Sequence, residues 1–244
     1  PKFDKVIIND DLETAIAETL AAIKEFIAYR NLLDNKSNKS NQTNNPLMRI
    51  GIYGGSFNPI HIGHTSLAQS LVEQKIVDEV WLLVSPLNPL KQSANPDILD
   101  YDERLHIARL ATESAKGIRV SDFERTLPVP SYTVSTLAEL SRAYPQHTFH
   151  LIIGADNWQD FHKWYKWEEI LQSYPIIIYR RPGYELDTTS PAIQSAKSIT
   201  VADTPPYDIS STQIRQAIRQ GQTPSEWLAP NVVEYIKKRG LYLL

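Results

Sequence analysis

No cysteine occurs anywhere in the 244 residues of this chain. That absence removes disulfides, thiolate metal sites and thiol nucleophiles together, and it fits a cytoplasmic protein without requiring one. Long apolar runs are missing as well, since none reaches the about 18 residues that a membrane-spanning helix needs. The first residues lack the basic and apolar regions of a signal peptide, so the expectation is a cytoplasmic protein with no membrane partner. Positive charge is not in excess either. Lys and Arg number 25 against 28 Asp and Glu, a net charge of -3, which leaves no basic footprint for nucleic acid. Glycine is scarce, at 9 residues, and methionine occurs once, at Met48. No internal repeat is present. What remains, 42% hydrophobic and 22% charged residues, is the composition of a globular protein with one good core and room for an appendage.

The appendage is legible first. Asp10 to Leu33 carries Leu12, Ile16, Leu20, Ile23 and Ile27 at helical spacing, an amphipathic helix that Asp10 or Asp11 can cap. Asp34 to Asn45 (DNKSNKSNQTNN) is polar and low in complexity, and reads as a linker reaching about 20 Å as a coil. A lone helix cannot bury its own stripe. Docking on the main body, pairing with a copy of itself in a homo-oligomer, and fraying all stay open. The expected division is 1–47 for helix and linker and 48–244 for the main body.

From Met48 onward strands alternate with helices. Arg49 to Tyr53, Asp78 to Ser85, Ile118 to Phe123, Thr148 to Ile153 and Pro175 to Tyr179 read as strands, with a weak further signal at Ser198 to Ala202. Helices are expected over Thr65 to Gln74, Asp100 to Ala115, Val134 to Tyr144, Glu168 to Gln172, Ser211 to Gln220 and Pro230 to Lys238, with Asn157 to Trp167 as an aromatic loop. Such alternation gives right-handed βαβ units and an α/β fold: a mostly parallel sheet of five strands or slightly more, with helices on both faces. The order 3-2-1-4-5 would set the loop after strand one beside the loop after strand four, where a nucleotide sits. The residues after 180 read as a helical cap.

The main body is organised around Gly54-Gly55-Ser56-Phe57-Asn58-Pro59-Ile60-His61-Ile62-Gly63-His64. A strand passes through a glycine turn into a helix whose first turn carries two histidines three apart, so both imidazoles can face one spot. Unpaired N–H groups and the positive dipole end make such a helix start an anion site. The other reading, that His61 and His64 merely cap or pack, is the ordinary one for isolated histidines. Zinc ligation lacks a third and fourth partner nearby, and no metal cage is written elsewhere. A second stretch, Ile209-Ser210-Ser211-Thr212-Gln213-Ile214-Arg215, is a capped helix start in which Arg215 can grip phosphate with a planar fork. Lys91, in the loop Pro86 to Asp97, is either a phosphate contact or a solvated surface lysine. Gly154-Ala155-Asp156 closes the fourth strand, and Asp156 is either a ribose contact or a turn former. WQDFHKWYKW, Trp158 to Trp167, offers stacking surface for a flat ring as well as core.

GGSFNPIHIGH and ISSTQIR together resemble the signatures of the HxGH nucleotidyltransferase superfamily, in the form found in bacterial nicotinate-nucleotide adenylyltransferases. The likeness covers 48–244 and is absent from 1–47; Met48 stands where a chain of that family would ordinarily begin. It implies a Rossmann-like nucleotidyltransferase fold and adenylyl transfer from ATP to nicotinate mononucleotide, with Mg²⁺ accompanying ATP. It also implies roles. His61, His64 and Arg215 would be catalytic. Gly54, Gly55, Ser56, Phe57, Lys91, Gly154, Asp156, Ile209, Ser210, Ser211 and Thr212 would bind ATP. Trp164 would stack on the pyridine, while Thr133 and Tyr165 would bind its carboxylate. The rivals are the same core acting on nicotinamide mononucleotide or another phosphorylated small molecule, and a catalytically silent nucleotide-binding module.

Overall fold

The computed structural model describes residues 46–86, 97–128, 131–184, 186, 194, 196–204, 207 and 209–243. The chain divides into two units, Pro1–Pro46 and Leu47–Leu244. The expected leader helix and linker lie outside the described residues, and so does Lys91.

Six strands, β1 (Arg49–Gly55), β2 (Glu79–Val84), β3 (Ile118–Ser121), β4 (Thr148–Gly154), β5 (Ile176–Tyr179) and β6 (Ile199–Ala202), form one sheet in the order β3-β2-β1-β4-β5-β6. Every neighbouring pair is parallel. The central order matches the expectation, and the weak signal at 198–202 is the sixth strand. Its faint pattern has a physical cause: an edge strand is covered on fewer sides, so Thr200 stays exposed where β5 is buried throughout.

Alternation along the strands builds two cores. Val80, Leu82 and Val84 face one side, Trp81 and Leu83 the other. The first side is covered by α1 (Ile62–Glu73), α2 (Tyr101–Ala111), and, after the sheet, α6 (Ser211–Arg219) and α7 (Pro230–Arg239). The second is covered by α3 (Thr133–Ala143) and α5 (Trp167–Ser173), which bury Leu137, Leu140 and Ile170. Two expectations need correction. The aromatic stretch is not a loop: Ala155–Gln159 forms α4 and Phe161–Lys163 a 3-10 turn, since Trp158 stacks on Phe161 at 5.3 Å between ring centres and packs the backbone inward. The third strand stops at Ser121, because Phe123–Thr126 winds into a 3-10 turn.

Candidate functional site

The site forms where the sheet order reverses, at the ends of β1, β4 and β5. β1 carries Gly54 and Gly55 to its end, and Ser56, partly buried, follows. The left-handed residue of this turn is not a glycine but Phe57, with φ +45. Its ring is buried edge-on against Tyr53 and His64, and that packing holds a conformation its side chain would otherwise avoid.

His61 is the N-cap of α1 and His64 its third residue, so only His64 belongs to the helix. The two rings lie 3.8 Å apart between centres. The His61 backbone N–H donates to His64 Nδ1 at 3.2 Å. A neutral His64 that accepts at Nδ1 carries its proton on Nε2, and therefore presents an N–H donor. Both rings are neutral at pH 7. Burial drives the His61 pKa down to about 4, with the nearby Arg181 cation adding to it. Burial, then His61 and Arg181, hold His64 well below its ordinary value. His61 Nδ1 is buried without a hydrogen-bond partner, a polar atom waiting for one.

This burial makes a checkable statement about stability. His61 titrates near 6.5 when unfolded and near 4 when folded, so between those values the unfolded chain binds more protons. Stability present at neutral pH is therefore lost as pH falls from about 6.5 to about 4. Thermal melts across that window should show a falling Tm, and His61→Gln should flatten the slope; an unchanged slope would exclude His61 as a source.

Across the switch point, Gly154 caps α4, whose first turn contains Asp156. A Cβ at Gly154 would collide with Asp156 Oδ1 and lie 3.0 Å from Tyr179 Oη, so only glycine leaves the carboxylate where it is. Asp156 Oδ2 accepts from Arg181 Nη1 at 3.1 Å, while Oδ1 is buried with no partner. Tyr53 and Tyr179 share a buried hydrogen bond at 3.2 Å between their hydroxyls. Arg181 and this tyrosine pair were not anticipated. The Arg180-Arg181 doublet directly after the fifth strand, at the edge that carries Gly154, was the signal available.

The second motif reaches the first. Ser210 caps α6: its Oγ accepts from the Gln213 N–H at 3.3 Å, and Gln213 Oε1 accepts from the Ser210 N–H at 2.7 Å. Ser211 Oγ donates to the Pro59 carbonyl at 2.9 Å. Arg215 Nη1 donates to the Asn58 carbonyl at 2.9 Å and Nη2 to Thr212 Oγ1 at 3.4 Å. The guanidinium is thus buried and anchored rather than an open fork, and its Nε is left without an acceptor. Ile209 lines the cavity beside the histidines.

The aromatic stretch and the start of α3 also converge. Tyr132, the residue before α3, lies 4.7 Å from Tyr165 between ring centres, which brings Thr133 and Tyr165 to the same place. Trp164 is half-buried against Phe161, while Tyr165 is 55% exposed. Tyr132 had no expected role of its own, although it stands next to Thr133 in Ser131-Tyr132-Thr133. Beneath this corner the buried Glu124 accepts from Thr136 Oγ1 at 2.9 Å, with burial raising its pKa.

Tyr53, His61, His64, Arg181, Thr204 and Tyr207 line a polar cavity of about 40 Å³. A larger apolar cavity, about 200 Å³, lies between α6 and α7 and offers only Lys237 as a charged group. The chemistry belongs to the smaller one. No group of three or more His, Cys, Asp or Glu that could hold a metal occurs among the described residues.

Comparisons with known proteins agree with this geometry. Residues 52–217 match the model of the cytidylyltransferase-like family. A protein of Bacteroides thetaiotaomicron named "Probable nicotinate-nucleotide adenylyltransferase" is 44% identical over 191 residues, covering 78% of this chain and 92% of the relative. One of the same name from Bacteroides fragilis is 45% identical over 188 residues, 77% and 90%. A Plasmodium falciparum nicotinic acid mononucleotide adenylyltransferase, solved in complex with NaAD, superposes with a TM-score of 0.68 at 20% identity, covering 80% of this chain and 97% of that one. At that identity the likeness speaks for the fold.

Proposed function

This chain belongs to the nicotinate-nucleotide adenylyltransferases, within the cytidylyltransferase-like family, and from that premise we propose how its residues carry out adenylyl transfer. The phosphate of nicotinate mononucleotide attacks the α-phosphorus of ATP. A phosphorus–oxygen bond forms, the bond to the α–β bridging oxygen breaks, and pyrophosphate leaves with that oxygen's electron pair. The attacking phosphate is already an anion, so no strong base is needed; the work is alignment and charge stabilisation.

The observation that carries this reading is the joining of two motifs about 150 residues apart. Ser211 and Arg215 of α6 are hydrogen-bonded to Pro59 and Asn58, directly ahead of the histidine pair. Triphosphate laid across this joint meets the start of α1, the His64 Nε2–H and the start of α6. A phosphate oxygen would satisfy the orphaned Arg215 Nε, and a ribose hydroxyl the orphaned Asp156 Oδ1. Lys91 belongs to this proposal as a phosphate contact. Gly54, Gly55, Ser56 and Phe57 shape the floor. Thr133 begins α3, where a helix start favours a carboxylate. Among the described residues the donor set offers no acidic cage for Mg²⁺, so the ion would come with the triphosphate, and no step is routed through it.

Residues 48–244 are taken as the catalytic unit. No helix among the described residues is long and apolar enough to cross a membrane. A cytoplasmic setting belongs to the proposal.

The decisive experiment measures pyrophosphate release with nicotinate mononucleotide, nicotinamide mononucleotide and phosphopantetheine side by side. A kcat/KM highest for the nicotinate compound is expected; preference for either other substrate, or no turnover at all, overturns the reading. Trp164→Ala tests the pyridine pocket. Loss of a stacking surface should cost about 1–3 kcal/mol, raising KM for nicotinate mononucleotide roughly 5- to 150-fold while KM for ATP stays nearly constant. A Trp164 that serves only to pack on Phe161 would lower Tm and leave both KM values alone.

A further inference from the structure

The segment after α7 turns back into the molecule. Tyr242 is 6% exposed and holds φ +64, a left-handed conformation that a residue with a side chain keeps only when its surroundings compel it. Its hydroxyl donates to Asn58 Oδ1 at 3.0 Å. Burial raises the phenol's pKa, so it remains a donor at neutral and mildly alkaline pH.

Asn58 is the joint of the site and is itself buried. Its Oδ1 also accepts from the Leu99 N–H at 3.2 Å, and its Nδ2 donates to the Asp97 carbonyl at 2.7 Å. Its own carbonyl carries Arg215, and the next carbonyl, of Pro59, receives Ser211. His61 follows two residues later. One side chain therefore ties the segment after α7 to the peptide on which both motifs meet.

We propose that Tyr242 is a positioning residue for adenylyl transfer, acting through Asn58 to hold Arg215 and the histidine pair in register. The inference rests on the reaction proposed above. The phenol does not touch the cavity; it removes the freedom of Asn58 to rotate and of the peptide after it to drift. Misplacement of reacting groups by about an ångström can cost on the order of 10²-fold in rate.

Tyr242→Phe removes one oxygen and keeps the ring. We expect kcat to fall about tenfold, with KM for both substrates within about twofold and Tm within about 3 °C. Tyr235→Phe is the control. Its hydroxyl donates to Glu103 Oε2 at 3.0 Å on the outer side of α7 and makes no bond to the signature, so kcat should not change. In an Asn58→Ser background, Tyr242→Phe should cost less than about twofold, because the partner is already gone. Histidine ¹⁵N spectra of the free protein give a reading without turnover. Tyr242→Phe should move the His61 and His64 signals, whereas Tyr235→Phe should move only His106, against which Tyr235 packs. Unmoved His61 and His64 signals, wild-type kcat in Tyr242→Phe, or fully additive losses with Asn58→Ser would each overturn the inference. A wild-type protein inactive on nicotinate mononucleotide would instead count against the proposed reaction, with the spectra still deciding on Tyr242.

Discussion

His64→Ala should lower kcat by about 10²-fold or more, the order of one lost donor at a developing oxyanion, while ATP affinity changes far less. The reason lies in when the interaction is made. His64 is neutral and offers a single Nε2–H, fixed in that tautomer by the His61 backbone N–H. A neutral donor gains little from the resting triphosphate compared with what it gains as charge builds on the α-phosphoryl oxygens, so its removal should appear in kcat. Steady-state kinetics together with calorimetric ATP titration separate the cases. Normal turnover, or a defect confined to ATP binding, would refute the assignment. A His64 that serves only to cap α1 would lower Tm with kcat per folded molecule intact. Arg215→Ala should place a larger share of its loss in KM for ATP.

Arg104→Met should destabilise the fold by about 3–5 kcal/mol, since several buried carbonyls lose their donor at about 1–3 kcal/mol each. For a domain of this size that is a fall in Tm of roughly 6–20 °C. Arg104 is 2% exposed. Its Nε donates to the Leu99 carbonyl at 2.9 Å, Nη1 to those of Ser56 and Ser85 at 2.7 and 2.9 Å, and Nη2 to that of Pro86 at 3.3 Å. One planar fork thus fastens the turn after β1, the end of β2 and the approach to α2. Methionine fills the volume but leaves those carbonyls without donors. Arg104→Lys should recover only part of the loss, since an ammonium cannot span the same acceptors. A thermal melt within about 2 °C of wild type for the methionine variant would show that the carbonyls find other donors.

Most elements of this fold are local in origin and legible in the sequence, with α4, the 3-10 turn after it and the end of β3 as the exceptions. Apolar runs such as WLLV and PIIIY mark strands buried on both faces, and the spacing of Leu67, Leu71, Leu137 and Leu140 marks their covering helices. Ser210 followed three residues later by Gln213 writes the start of α6, and the capping bonds form as that pattern requires. The meeting point of the two motifs follows from the strand order, one of those open to alternating strands and helices.

What tertiary structure decided is everything that depends on contacts between residues far apart in the chain. The charge state of His61 and His64 comes from burial and from Arg181, which no local pattern connects to them. Arg215 reads as an exposed phosphate fork, yet folding spends part of it on the Asn58 carbonyl. Arg104 and Tyr242 look like unremarkable members of a helix and a tail until the fold closes. Arg104 then supports three segments, and Tyr242 reaches across 184 positions to Asn58. Periodicity and capping report a residue's neighbours within a turn or two. Hydrogen-bond partners and desolvation are properties of the packed molecule, and they exist only once the sheet and its helices have come together.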